Sequence, residues 1–198
     1  SAAFFLVAAA CLDGSDLTLK GVGLNPTRIG IIDVLRQAGI GLSISAERLE
    51  CGEPVGDIVI RGSAGKLSSL PLLRLGGDFI ANVIDEIPIL AILGTQVSGG
   101  VEIRDASELR VKESDRIRAV VDGLRRMGSD VEEYDDGLTV RPSRLCGARI
   151  DSHGDHRIAM AFAVAGLLAE GETEILDADC VDVSFPGFFE TLRRVVIS

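Results

Sequence analysis

DHRIAMAFAVAGLLAEG, residues 155–171, decides the fold. From Ile158 to Leu168 every residue is apolar or glycine, so the helix this run predicts offers no face to water. A helix apolar on all sides belongs in the interior of a domain, covered by other elements. Two more stretches read the same way: AAFFLVAAACL, residues 2–12, and IPILAILGTQV, residues 87–97, with Pro88 near its first turn. Three such helices in one chain predict three structural units rather than one irregular core.

The pattern between these helices repeats in a fixed order, with the hydrophobic period switching from helical to alternating and back. After the first helix, Asp13-Gly14 leads to a strand at SDLTLKG (15–21), the turn LNP, and a second helix at TRIGIIDVLRQAG (27–39) closed by Gly39. Strands follow, the last of them at DIVIRG (57–62). The second unit begins at Asp85 and runs through its apolar helix, Gly99-Gly100, strand VEIRD (101–105) and a helix over 114–127 closed by Gly128. It ends with hairpin VEEYDDGLTV (131–140) and strand ARIDS (148–152). The third unit starts at Asp155 and continues to strand ETEIL (172–176), Pro186 and helix GFFETLRRVV (187–196). The second helices are amphipathic: Ile117, Val120, Val121, Leu124 and Met127 share one face, with Arg125 and Arg126 on the other. The fold predicted is therefore α/β, with three units about a pseudo-threefold axis, apolar helices buried in parallel and sheets outside. Equivalent helix N-termini then gather at one end, and that end attracts anions.

The 198 residues suffice for one domain that buries roughly 70% of its unfolded surface. Twenty basic against thirty acidic residues give a net charge of -10, which argues against nucleic acid or a membrane surface as partner, so any anion site is local. Cys11, Cys51, Cys146 and Cys180 are widely spaced, without a CxxC pair or a histidine at metal-ligand spacing, and read as free thiols. The apolar opening lacks a basic leader and is too short to span a bilayer. Its helix begins at the first residues with Ser1 as the one available cap, from which an upstream part is expected.

Charges of both signs concentrate at the predicted helix starts. LRVKESDRI, residues 109–117, holds Arg110, Lys112, Glu113, Asp115 and Arg116 ahead of an amphipathic helix. Ser114 is the expected N-cap and Asp115 complements the macrodipole, so these two need no function. Lys112 and Arg116 oppose the dipole unless an anion sits with them. Glu113 reads equally as a salt-bridge partner and as a group that moves protons. HGDHR, residues 153–157, repeats the arrangement: Asp155 can cap, and Arg157 enters the first turn of an otherwise apolar helix. A guanidinium there suits bidentate recognition of phosphate or carboxylate, the alternative being a structural pair with Asp151 or Asp155. His156 reads as a proton shuttle or as a hydrogen-bonded structural histidine. IDEIP, residues 84–88, places Asp85 and Glu86 at the remaining entrance, where a capping carboxylate is the ordinary expectation. Fixed cations interleaved with carboxylates suit general acid/base work on a doubly anionic substrate. No Walker loop, nucleophile elbow or dinucleotide fingerprint accompanies them.

RVKESDR (110–116), GDHRIAM (154–160), IDEIP and LNPTRIG (24–30) together resemble the 5-enolpyruvylshikimate-3-phosphate synthase family, the 3-phosphoshikimate 1-carboxyvinyltransferases. The resemblance implies an enolpyruvyl-transferase fold of two similar domains. Each is an inside-out α/β barrel of βαβαββ repeats with buried helices and outer sheets, and residues 1–198 match the C-terminal one. It implies transfer of the enolpyruvyl group of phosphoenolpyruvate to the 5-hydroxyl of shikimate 3-phosphate with release of phosphate, in the cytoplasm, on the path to chorismate and the aromatic amino acids. No metal or organic cofactor is implied, and the partners are the two substrates and the N-terminal domain of the same enzyme. By motif, Asp85 matches the carboxylate that binds and deprotonates the 5-hydroxyl, and Lys112 lies beside that hydroxyl. Glu113 matches the group that handles the proton at the phosphoenolpyruvate methylene. Arg116 and Arg157 match arginines that hold phosphoenolpyruvate, and His156 lines the same pocket.

The sequence also departs from the pattern. Some members carry a lysine shortly before the final SFP-type motif, and Val183 stands there in DVSFP (182–186). The glycine-rich and basic motifs of the N-terminal domain are absent, so half of the implied active site lies elsewhere and the isolated domain is expected to be inactive. Two alternatives are a UDP-N-acetylglucosamine enolpyruvyl transferase, which resembles neither KESDR nor GDHR here, and a non-catalytic anion-binding or structural module of the same fold.

Overall fold

The three apolar runs form the helices α1 (Ala2–Cys11), α3 (Ile87–Gln96) and α5 (His156–Leu168), which pack against one another at the centre of the chain. The computed structural model describes residues 2–27, 29–62, 67 and 70–197. Every residue of α1 from Ala3 to Cys11 and every residue of α3 from Ile87 to Thr95 is buried, as patterns without a polar face require. The C-terminal half of α5 departs from that expectation: Ala163, Gly166, Leu167 and Leu168 are half-buried. The sheet beside them has two strands among the described residues, too few to cover the helix along its length.

Around this centre lie the amphipathic helices α2 (Gly30–Gln37), α4 (Arg116–Arg126) and α6 (Phe188–Ile197). The helix expected at 27–39 is shorter at its start, and Arg28 lies outside the described residues, as does the expected cap Ser1. Helix α4 packs on both α3 and α5. Its approach to α5 depends on Gly123, where an added Cβ would stand 2.2 Å from Cζ of Phe162. Helix α6 is fastened to α1 by aromatic edges, with Phe188 ring centroids 6.1 Å from Phe4 and 5.4 Å from Phe5.

Each buried helix runs into a strand of an outer sheet. Strand β1 (Asp16–Gly23) pairs antiparallel with β3 (Glu53–Arg61), which pairs antiparallel with β2 (Leu42–Glu50). In the second unit β5 (Val101–Ile103) lies between β4 (Leu73–Leu75), parallel to it, and β7 (Gly137–Val140), antiparallel, with β6 (Val131–Tyr134) completing the order β4-β5-β7-β6. In the third, β9 (Glu174–Leu176) pairs parallel with β8 (Arg149–Asp151). Strand β4 was not expected from sequence. The β6–β7 hairpin closes tightly on β5 because Gly137 has no Cβ, which would stand 1.9 Å from the carbonyl oxygen of Ile103.

The starts of the buried helices meet at one end: Arg157 from the first turn of α5 reaches Asp85 just before α3, and one cavity is lined by both together with Ala2 and Ala3 of α1. No helix among the described residues is long and apolar enough to cross a membrane.

Candidate functional site

Two helix starts are fixed by their own aspartates. Asp155 accepts the N–H of Arg157 at 2.9 Å and opens α5, as expected from its position. At α4 the expected cap was Ser114, but Asp115 caps instead, accepting the N–H of Arg118 at 3.0 Å. The Ser114 hydroxyl turns away and donates to Asp155 Oδ2 at 3.1 Å, a partner 41 residues along the chain. The carboxylate that caps one helix thus also anchors the approach to another.

Between these starts lies a buried ionic cluster centred on Arg116. Its side chain is 1% exposed, and its nitrogens reach Asp155 Oδ2 at 2.8 Å, Asp85 Oδ1 at 3.3 Å and Glu113 Oε2 at 2.5 Å. Arg157 meets the same Asp85 from the other side, with Nη2 2.9 Å from Oδ2 and Nη1 2.9 Å from the Asp85 carbonyl oxygen. Neither Asp151 nor Asp155 is its ion-pair partner; Asp85 is, with Glu86 at 4.0 Å. The structure therefore joins Asp85, Glu113, Arg116 and Arg157 into one bonded group.

Burial would raise the Asp155 carboxyl, but the hydrogen bond and charge of Arg116, the Arg157 N–H and the Ser114 hydroxyl outweigh it and hold the group below the ordinary aspartate range. Glu86 goes the other way: burial raises it, the neighbouring Asp85 adds to the rise, and Arg157 offsets only part. His156 is half-buried beside the cluster, and burial pushes its proton affinity down. At neutral pH its imidazole is therefore mostly uncharged, a form that both accepts and donates.

Lys112 stands apart from the bonded group. Its ammonium pairs with Glu108 one turn earlier, and its side chain is about a quarter exposed. Glu113 is half-exposed. A cavity of about 760 Å³ opens next to the cluster, lined among others by Asn82, Asp85, Glu86 and Arg157 but by neither Lys112 nor Glu113. Val183 ends the 3-10 helix Ala178–Val183 that precedes α6 and is 88% exposed. Among the described residues no group of His, Cys, Asp or Glu is arranged to hold a metal ion.

Sequence reasoning named Asp155, Glu86 and Arg110 without their partners, which are Arg116 and Ser114, Arg157, and Asp115 with Glu133 in turn, and it missed Glu108, the partner of Lys112. Glu108 and Lys112 were legible, being an acid and a base four apart. The pairs of Asp155 and Asp85 with Arg116 span 39 and 31 residues, and no local pattern announces them.

The model of the EPSP synthase (3-phosphoshikimate 1-carboxyvinyltransferase) family matches residues 1–192. Among curated relatives, the 3-phosphoshikimate 1-carboxyvinyltransferases of Desulforamulus reducens and Pelotomaculum thermopropionicum are each 54% identical over the whole chain, which spans 45% of their length. Among solved structures, an EPSP synthase from Acinetobacter baumannii superposes with a TM-score of 0.90 at 42% identity, covering 98% of this chain and 44% of that one. An enolpyruvyl transferase from Streptomyces tendae shares the fold with a TM-score of 0.77 at 18% identity, over 98% of this chain and 42% of its own.

Proposed function

The chain belongs to the EPSP synthase family, and from that premise we propose that it forms one of two domains of an enzyme moving the enolpyruvyl group of phosphoenolpyruvate onto the 5-hydroxyl of shikimate 3-phosphate. The observation that carries the reading is the bonded group of Asp85, Glu113, Arg116 and Arg157 at the gathered helix starts. The reaction needs acids and bases side by side. In the addition, the hydroxyl oxygen attacks the central carbon of phosphoenolpyruvate as a base takes its proton and an acid protonates the methylene carbon. In the elimination, the new methyl group loses a proton and the carbon–oxygen bond to phosphate breaks.

Asp85 takes the hydroxyl proton, with Lys112 supplying positive charge nearby. Glu113 gives the methyl proton and takes one back. Arg157 and Arg116 balance the carboxylate and phosphate of phosphoenolpyruvate, and His156, largely uncharged, lines the pocket. Arg116 is buried and saturated by carboxylates, so an anion reaches it only as Glu113 or Asp85 lets go. That exchange releases those carboxylates for proton transfer as substrate arrives. The second wall of the site belongs to the other domain, and the reaction is cytoplasmic, without nucleic acid or membrane as partner.

The test is phosphate release from phosphoenolpyruvate that depends on shikimate 3-phosphate. It compares the 198-residue chain with a chimera in which this chain replaces the matching 45% of the D. reducens relative. Turnover is expected from the chimera and none from the chain alone. A folded chimera without turnover refutes the reading, and turnover by the chain alone refutes the shared site. Glu113→Gln in the chimera should cut kcat far more than it weakens shikimate 3-phosphate binding, since an amide keeps the shape and loses the proton.

A further inference from the structure

Arg110 is the one cation of the RVKESDR stretch to which the proposed reaction gives no task, and it is among the most fully bonded side chains of the second unit. Its Nη1 donates to Asp115 Oδ2 at 2.9 Å, Asp115 Oδ1 at 3.1 Å and Glu133 Oε1 at 2.8 Å. Its Nη2 donates to the carbonyl of Tyr134 at 2.6 Å, and its Nε to that of Asp135 at 3.2 Å. The side chain is 24% exposed, so these bonds are partly shielded from water.

Two features make this more than a surface ion pair. The partners lie on separate elements: Glu133, Tyr134 and Asp135 belong to the β6–β7 hairpin, whereas Asp115 is the N-cap of α4. The bond from Arg110 to Asp115 also spans only the four residues Val111 to Ser114, which include Lys112 and Glu113. It closes that loop like a clasp. Behind it the backbone is tied to the same hairpin, with Ala106 N–H on the Asp136 carbonyl at 2.7 Å and Asp105 N–H on the Asp136 carboxylate at 3.0 Å. Ahead of it Arg116 is locked in the buried cluster. Val111, 81% exposed, gives the loop no apolar anchor of its own.

We propose that Arg110 is a positioning residue for this site: its clasp to Asp115 and the β6–β7 hairpin sets where Lys112 and Glu113 stand. The role rests on the enolpyruvyl-transfer reading for its chemical consequence, but not for its geometry. Lysine cannot replace the guanidinium, since an ammonium reaches one or two of these acceptors and lacks the planar fork that holds them together.

Two measurements test it. On the 198-residue chain, amide order parameters of residues 111–114 should fall from the rigid range of about 0.85 toward 0.6 in Arg110→Lys. In Arg141→Lys they should not change, although Arg141 also pairs with carboxylates beside this hairpin. In the chimera, Arg110→Lys should lower kcat by 10-fold to on the order of 100-fold with the KM for phosphoenolpyruvate nearly unchanged, because ångström-scale misplacement costs rate at the reacting atoms. Asp115→Asn keeps an acceptor for the α4 cap and weakens the clasp from its other end. It should act in the same direction, and serves if Arg110→Lys does not fold. Unchanged order parameters overturn the proposal, and so does a normal kcat in a variant whose loop has loosened. An inactive parent chimera refutes the reaction instead and leaves the clasp to the order parameters.

Discussion

Replacing Asp155 by alanine removes a carboxylate with no solvent exposure from beside a guanidinium that is 1% exposed. Removing one member of a buried pair costs about 3–5 kcal/mol, because the remaining charge is left in a poor solvent. Arg116 keeps Glu113 at 2.5 Å and Asp85 at 3.3 Å, which favours the lower end of that range. Helix α5 also loses the acceptor for the Arg157 N–H, a capping loss of about 1 kcal/mol. The expected destabilisation is about 4 kcal/mol, or a fall in Tm on the order of 10 °C for a chain of this size. Urea midpoints and thermal scans on the 198-residue chain measure it. Asp155→Asn should lose less, since the amide oxygen still caps. The Asp155 carboxyl is depressed from 3.8, so its stabilisation is present above that value and disappears as the pH falls through the lower folded-state value. The gap between wild type and Asp155→Asn should therefore be full at neutral pH and narrow only in strong acid. A loss under about 1 kcal/mol for the alanine variant would refute the view that Asp155 compensates Arg116.

Gly123→Ala should cost about 1–2 kcal/mol despite the better helix propensity of alanine, since the new methyl would sit 2.2 Å from Phe162 Cζ; Phe162→Leu should recover part of it in urea melts. Cys11 is pushed up to about 12 by burial, so thiol titration at pH 8 should label the exposed Cys51 and Cys146 promptly and Cys11 only after unfolding. Arg157→Lys in the chimera should weaken phosphoenolpyruvate binding about tenfold, since a point charge replaces a planar fork, and unchanged affinity would rule out the ligand role.

The buried helices were legible because nothing in AMAFAVAGLL or PILAIL offers a polar stripe, and the amphipathic ones because Ile117, Val120, Val121 and Leu124 recur at helical spacing. Strand β4 was not legible: three residues between Pro71 and Gly76 carry too little period, and only pairing with β5 makes them a strand. The choice between Ser114 and Asp115 as cap could not be made locally either, since both residue types cap well. It was settled by Asp155, which draws the Ser114 hydroxyl away, and by Arg110, which holds Asp115 in place. The cluster was legible as a set of residue types at helix starts, but its connectivity depends on packing the second and third units together.

That packing gives neighbouring carboxyls opposite properties. Asp155 has Arg116 at 2.8 Å and two further donors, so its charge is secured and its proton affinity falls. Glu86 is half-buried, but its ion-pair partner Arg157 is 4.0 Å away and Asp85 adjoins it, so its proton affinity rises. The first carboxylate is fixed in place by three bonds, from α4, from α5 and from Ser114 just before α4, and cannot leave Arg116 without unfolding that corner. Asp85 and Glu113 are each about half-exposed and bind the arginines from the open side, so solvent or an incoming anion can replace them. On the proposed reading, the carboxylate that maintains the architecture, Asp155, differs from those that would give way to an anionic substrate, Asp85 and Glu113.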